Sequence, residues 1–106
     1  MRAPRQPNLL FEEDGPAAAA FEQFHAANPQ VYRALRSFAF EARRRGARRI
    51  GIRMAWERLR WWSQCEVNRT GSEPWRLDNN WTKFYARRLM RDEPELAGLF
   101  ETRDRG

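Results

Sequence analysis

The side chains of this sequence best suited to chemistry with a partner are guanidinium groups, and they are unevenly spaced. Nineteen of the twenty basic residues are arginine, and ten of these lie between Arg33 and Arg60. Over residues 29–66 only Glu41, Glu57 and Glu66 oppose them, a net charge of +7, whereas residues 1–28 carry −2 and residues 67–106 carry +1. A planar guanidinium forms two parallel charge-assisted bonds to phosphate and is weakly hydrated, so a concentrated field of them suits a polyanion. Nucleic acid is the first partner this pattern implies. A structural role stands beside it: Arg43, Arg44 and Arg45, at the end of an expected helix, also offset the helix dipole.

Other chemistries find little support. Cys65 and His25 are the only cysteine and histidine, which excludes an intramolecular disulfide and a Cys/His zinc set. With no motif around either, Cys65 reads as a small packed side chain and His25 as a satisfied residue at the rim of the core. There is no glycine-rich phosphate loop, no nucleophile elbow and no cluster of metal ligands. Glu93 and Glu95 flank Pro94 as helix-end residues rather than as an acid/base pair. The expectation is a protein that is not an enzyme and uses neither metal nor cofactor.

These arginines must be positioned by a small core. The chain has 106 residues, 42% hydrophobic, with five Trp, seven Phe and two Tyr, enough for one domain. No run approaches the roughly 18 apolar residues of a membrane span, and the amino terminus has no signal-peptide core, so a cytoplasmic protein without a membrane partner is expected. Residues 1–16, with Pro4, Pro7, Gly15 and Pro16, read as a flexible arm whose Leu9, Leu10 and Phe11 could dock on a partner or on the domain. Residues 17–103 form the domain, and 104–106 a frayed tail.

Within the domain the spacing predicts a helix over 17–27, with Phe21, Phe24 and His25 on one face. A second should run from Pro29 to about Arg45, with Asn28 as its cap, Val31, Leu35, Phe38 and Ala42 as its stripe, and Gly46 as its stop. A short strand at 48–50 precedes a helix from Gly51 to about Val67, whose inward stripe is Ile52, Ala55, Trp56, Leu59, Trp62 and Cys65. Turns over 68–77 include a second short strand at 75–77. Asp78, Asn79 and Asn80 can then cap a helix running from about Asn80 to Asp92. Trp81, Tyr85, Ala86, Leu89 and Met90 face inward on it, with Lys83, Arg87, Arg88 and Arg91 outward.

The segments FHAANPQVYRAL, IRMAWERLRW and LDNNWTKFYARRLMRDEPELAGLFETR together resemble a family of small proteins encoded by bacteriophages and prophages. The similarity covers roughly residues 21–103. Its most specific pieces are Asn79-Asn80, Tyr85-Ala86-Arg87 and Met90, followed by Pro94, Leu96, Phe100 and Arg103. The resemblance implies a phage setting, hence a host cytoplasm, and a mostly helical domain; it implies no catalytic residue. Trp61-Trp62 and the arginine excess depart from it.

The expected fold is mainly α, three to four helices with one short two-stranded element, in the order of a winged or variant helix-turn-helix domain. On that reading the helix from Asn80 enters the major groove of double-stranded DNA. Asn79 and Asn80 would read adenine edges, and Lys83 and Arg87, with Arg88 and Arg91 beside them, would reach guanine or phosphate. Arg43, Arg44, Arg48, Arg49, Arg53 and Arg76 would hold the backbone. The asparagines serve equally well as caps, and the link over 68–78 is longer than a strict helix-turn-helix allows. The competing function is a phage protein-interaction module that occupies a host protein, for which the aromatic load is suited. Trp61 and Trp75, if exposed, would serve base stacking or a protein contact. Monomer and homodimer both remain open.

Overall fold

The computed structural model describes the backbone of residues 5–100 and the side chains of residues 15–100. Among the described residues four helices follow one another: α1 (Arg5–Ala27), α2 (Pro29–Arg44), α3 (Ile52–Thr70) and α4 (Thr82–Asp92), with 3₁₀ turns at Asn79–Trp81 and Pro94–Leu96. α1 is longer than expected. It begins at Arg5 and contains Pro16, so the segment read as an arm is helical in its backbone from Arg5 onward. Pro7 falls in the first turn, where a missing N–H costs no helical bond. The docking suggested for Leu9, Leu10 and Phe11 concerns side chains outside the described residues, as does the tail from residue 101.

Asn28 works on the helix before it rather than the one after it. Its side-chain amide and its backbone N–H both donate to Phe24 O, at 2.9 Å each, closing α1, while Pro29 opens α2 with no side-chain cap. A one-residue link results. The apolar stripes then meet in one core: Val31, Leu35 and Ala39 from α2, Ala55, Trp56 and Leu59 from α3, and Phe84, Tyr85, Ala86 and Leu89 from α4. Phe21 from α1 and Leu96, Leu99 and Phe100 from the carboxyl-terminal segment complete it. Two pairs tie α2 to the end of α4: Arg36 with Glu93 at 2.7 Å and the Tyr32 hydroxyl with Asp92 at 2.9 Å. Burial first, and then that bond, push the Tyr32 pKa up to about 12.

The stripe expected on α3 slips by one position. Ser63 is buried, Trp62 is half-buried and Cys65 is exposed, so the inward face follows Leu59 to Ser63, one 3.6-residue turn, not Leu59 to Trp62 to Cys65. Ser63 earns burial through its hydroxyl, which accepts the Trp75 N–H at 2.8 Å. That bond also overturns the two-stranded element. With the Trp75 donor taken by Ser63, and the Leu77 N–H turned back onto Trp75 O at 2.9 Å, residues 75–77 have no row of donors to offer a neighbour. Ile50 instead makes one isolated parallel bridge to Phe100. Among the described residues there is no strand, and the winged arrangement does not form.

The aromatic centre of the core yields two expected results. Tyr85 is fully buried, with Phe21, Trp56 and His25 ring centroids at 4.7, 5.7 and 5.8 Å, and its hydroxyl has no hydrogen-bond partner among the described residues. An unpaired buried hydroxyl costs about 1–3 kcal/mol. Tyr85→Phe should therefore hold or raise stability, by about 1 kcal/mol in urea unfolding; a loss of that size would show that the hydroxyl is bonded.

His25 stacks flat on Phe21 at 5.7 Å and meets Tyr32 and Tyr85 edge-on. Burial, followed by the charge of Arg88, lowers its pKa from 6.5, against smaller opposing pulls from Glu22 and Asp92. The unfolded chain thus binds its proton first on acidification, and stability is lost as pH falls through 6.5. Unfolding midpoints compared between about pH 7.5 and 5.5 should fall less for His25→Gln than for the unsubstituted protein. Equal slopes would mean the histidine is not the group that titrates.

Candidate nucleic-acid interface

The corner between α2 and α3 is built by Gly46. Its φ of +97° lets the chain reverse, with its N–H on Arg43 O and the Ala47 N–H on Ala42 O, both at 2.9 Å. A short connection then leads from Arg45 to Gly51, where α3 starts. Arg44, Arg48 and Arg53 are exposed along this corner. Among the described residues their guanidinium groups enter no ion pair, hydrogen bond or ring contact. Arg49 is exposed beside them and has an interaction of its own. Arg45 pairs with Glu41 at 3.0 Å.

Arg43 leaves the candidate set. Its Nε donates to Glu95 O at 2.9 Å, Nη1 to Ala47 O at 2.9 Å and Arg48 O at 3.0 Å, and Nη2 to Ala97 O at 2.7 Å. Four backbone carbonyls therefore hold the one group expected on phosphate. Its work is to lock the end of α2 onto the corner and onto the turn after α4. Nothing in the sequence distinguishes it from Arg44; the fold does, by aiming one side chain at a cluster of carbonyls and the next at solvent.

α4 divides its expected contacts. Arg88 is half-buried, its guanidinium bound to Glu22 at 2.9 Å and lying 5.7 Å from the Phe21 ring, so it ties α1 to α4 instead of facing outward. Asn79 accepts from Arg60 at 2.6 Å, and the Asn80 backbone N–H is capped by Asp78 at 2.9 Å. Both asparagines are exposed, and Asn79 is in addition bound within the fold by Arg60. Lys83 and Arg91 are exposed and Arg87 is half-buried. Lys83 lies 5.4 Å from the Phe84 ring, Arg91 leans on Asp92 at 3.3 Å, and Arg87 also has a contact within the fold. Arg76 is exposed and has no such partner among the described residues, while Trp75 is half-buried against the core.

Trp61 is where an exposed aromatic was to be looked for, and it is 57% exposed. The residue beside it that sequence reasoning missed is Arg58, whose guanidinium carbon lies 5.2 Å from the Trp61 ring, 5.3 Å from Trp62 and 6.0 Å from Phe38. Met54, 58% exposed, stands one turn before Arg58 on the same face. The spacing 54, 58, 61 is readable as one helical face. Among the described residues no group of acidic, histidine and cysteine side chains is arranged to hold a metal ion, and no helix is long and apolar enough to cross a membrane. Comparison of the chain with protein-family models, with curated proteins and with solved structures finds no match.

Proposed function

We propose that this protein binds DNA without catalysis, gripping the phosphate backbone with the arginines of the α2–α3 corner. The observation that carries this reading is the contrast among the arginines. Arg36, Arg43, Arg45, Arg60, Arg69 and Arg88 are engaged by partners within the fold. Among the described residues Arg44, Arg48 and Arg53 hold none, and they lie close in sequence around the turn between α2 and α3. A guanidinium that need break no existing pair gains most from a phosphate. In the helix-turn-helix-like form of the reading, Asn80, Lys83, Arg87 and Arg91 present the outer edge of α4 to the bases. The role of a phage or prophage regulator rests on the sequence resemblance.

The deciding measurement is affinity for DNA across a salt series. Each phosphate contact contributes about 0.9 to the slope of log affinity against log salt on duplex DNA. Replacing Arg44, Arg48 and Arg53 together by glutamine should flatten that slope by up to about 2.7 and weaken all sequences alike. An unchanged slope would refute the corner as the grip. The competing reading, a module that docks on a host protein, draws on the exposure of Met54 and Trp61. It expects a protein complex that survives nuclease treatment, and DNA binding no better than that of an unrelated protein of equal charge.

A further inference from the structure

We propose that the outer face of α3 is a stacking platform for unpaired nucleobases, so that the protein holds single-stranded stretches in preference to intact duplex. The proposal rests on the DNA-binding reading above and adds which form of the polymer the site takes. Among the described residues Met54 and Trp61 are the large apolar side chains most exposed, at 58% and 57%, and both lie on one face of α3 with Arg58 between them. The two are about 10 Å apart along the helix axis, seven residues at 1.5 Å each. Next to them Phe38, Ile50, Met54 and Arg58 line an open hollow of about 540 Å³ at the corner that carries the arginines.

An unpaired nucleotide offers two things at once, an apolar ring face and a phosphate. This surface offers the complement of both: an aromatic and aliphatic floor, with Arg53 exposed next to Met54 and Arg58 set against Trp61. Base–aromatic stacking of this kind tolerates any sequence, because every base has a π-face. In a duplex those faces are hidden in the stack, so Trp61 could not use them. The acids on this side are already neutralised, Glu41 by Arg45 and Glu57 by Arg60, and do not oppose a polyanion. A second copy of the chain fits less well, since pairing this face with itself would set arginine against arginine. An acidic peptide would satisfy the charge, but Trp61 stands outside the hollow in which an apolar anchor would sit.

The test uses the full chain and three labelled probes of equal length: oligothymidylate, a deoxyribose-phosphate oligomer without bases, and a duplex. Oligothymidylate should bind about tenfold more tightly than the abasic oligomer for each base that stacks well. Trp61→Ala should bring oligothymidylate down to the abasic level while leaving the abasic and duplex affinities unchanged, and Trp61→Phe should retain part of the difference. Cys65, the only cysteine and one turn beyond Trp61, is exposed and can carry an environment-sensitive fluorophore that responds to oligothymidylate alone. If the three probes bind alike and Trp61→Ala changes none of them, the platform is overturned while the phosphate grip stands. If none binds better than to an unrelated protein of equal charge, both readings fall. Tight binding of a glutamate–tyrosine copolymer in place of the oligonucleotides would overturn the platform and make this face a protein-docking surface.

Discussion

Arg43→Met is expected to destabilise the protein by about 3 kcal/mol, whereas Arg44→Met, one residue along, should leave stability within about 0.5 kcal/mol. The Arg43 guanidinium holds four carbonyls, those of Ala47, Arg48, Glu95 and Ala97, at 2.7 to 3.0 Å. A hydrogen bond from a charged donor contributes about 1.5–3 kcal/mol net, and exposure of part of this group to water keeps the total well below four times that figure. Methionine preserves much of the side-chain bulk but strands all four acceptors. The damage should spread, because the same bonds fix the corner against the turn after α4, and with it the placement of Arg48 and Arg53. Arg44 has no such partners. Its replacement should instead weaken DNA binding and flatten its salt dependence, with folding untouched. Urea unfolding of the two variants, set beside their DNA affinities, separates a structural arginine from a binding one. Equal stability losses would mean that the carbonyl clamp does not form.

The elements were legible because their signals are local. Pro29 and Gly46 punctuate α2 at its observed ends, and Asp78 caps the turn that leads into α4. What escaped is settled by contacts distant in sequence. Whether residues 75–77 pair as a strand depends on Ser63, which draws off the Trp75 N–H. Whether Arg88 faces solvent depends on Glu22, and whether Asn79 is available depends on Arg60. None of these partnerships has a sequence spacing that announces it, and each gives a residue of the expected interface a partner within the fold. The corner differs for the opposite reason. Arg44, Arg48 and Arg53 flank a glycine turn whose geometry is local, and among the described residues their guanidinium groups pair with no acid. Helical phase was the finer difficulty. A stripe drawn through Leu59, Trp62 and Cys65 departs by one residue from that through Leu59 and Ser63, and the error decides which tryptophan belongs to the core.

The tryptophans of α3 should therefore show three different costs on truncation to alanine, with Trp56 the largest at about 3–5 kcal/mol. Trp56 is 1% exposed and packs against Tyr85 with ring centroids 5.7 Å apart, within the buried core. Removing it opens a cavity that the facing residues of α2 and α4 can close only by leaving their own contacts, and that residual void adds to the lost burial. Trp62 is half-buried and packs on the edge of the core, so its loss should cost less, about 1–3 kcal/mol. Trp61 stands in solvent with Arg58 as its neighbour, an exposed cation–π contact of about 0.5–1 kcal/mol. Urea unfolding should rank the variants Trp56, Trp62, Trp61, and intrinsic fluorescence should show the complementary order, since Trp61 is the ring that water and added quencher reach most freely. A cost for Trp62→Ala equal to that for Trp56→Ala would place Trp62 in the core and restore the stripe through Leu59, Trp62 and Cys65. That phase would turn the face of α3 away from Ser63 and break its bond to Trp75, so the ranking also tests why residues 75–77 fail to form a strand.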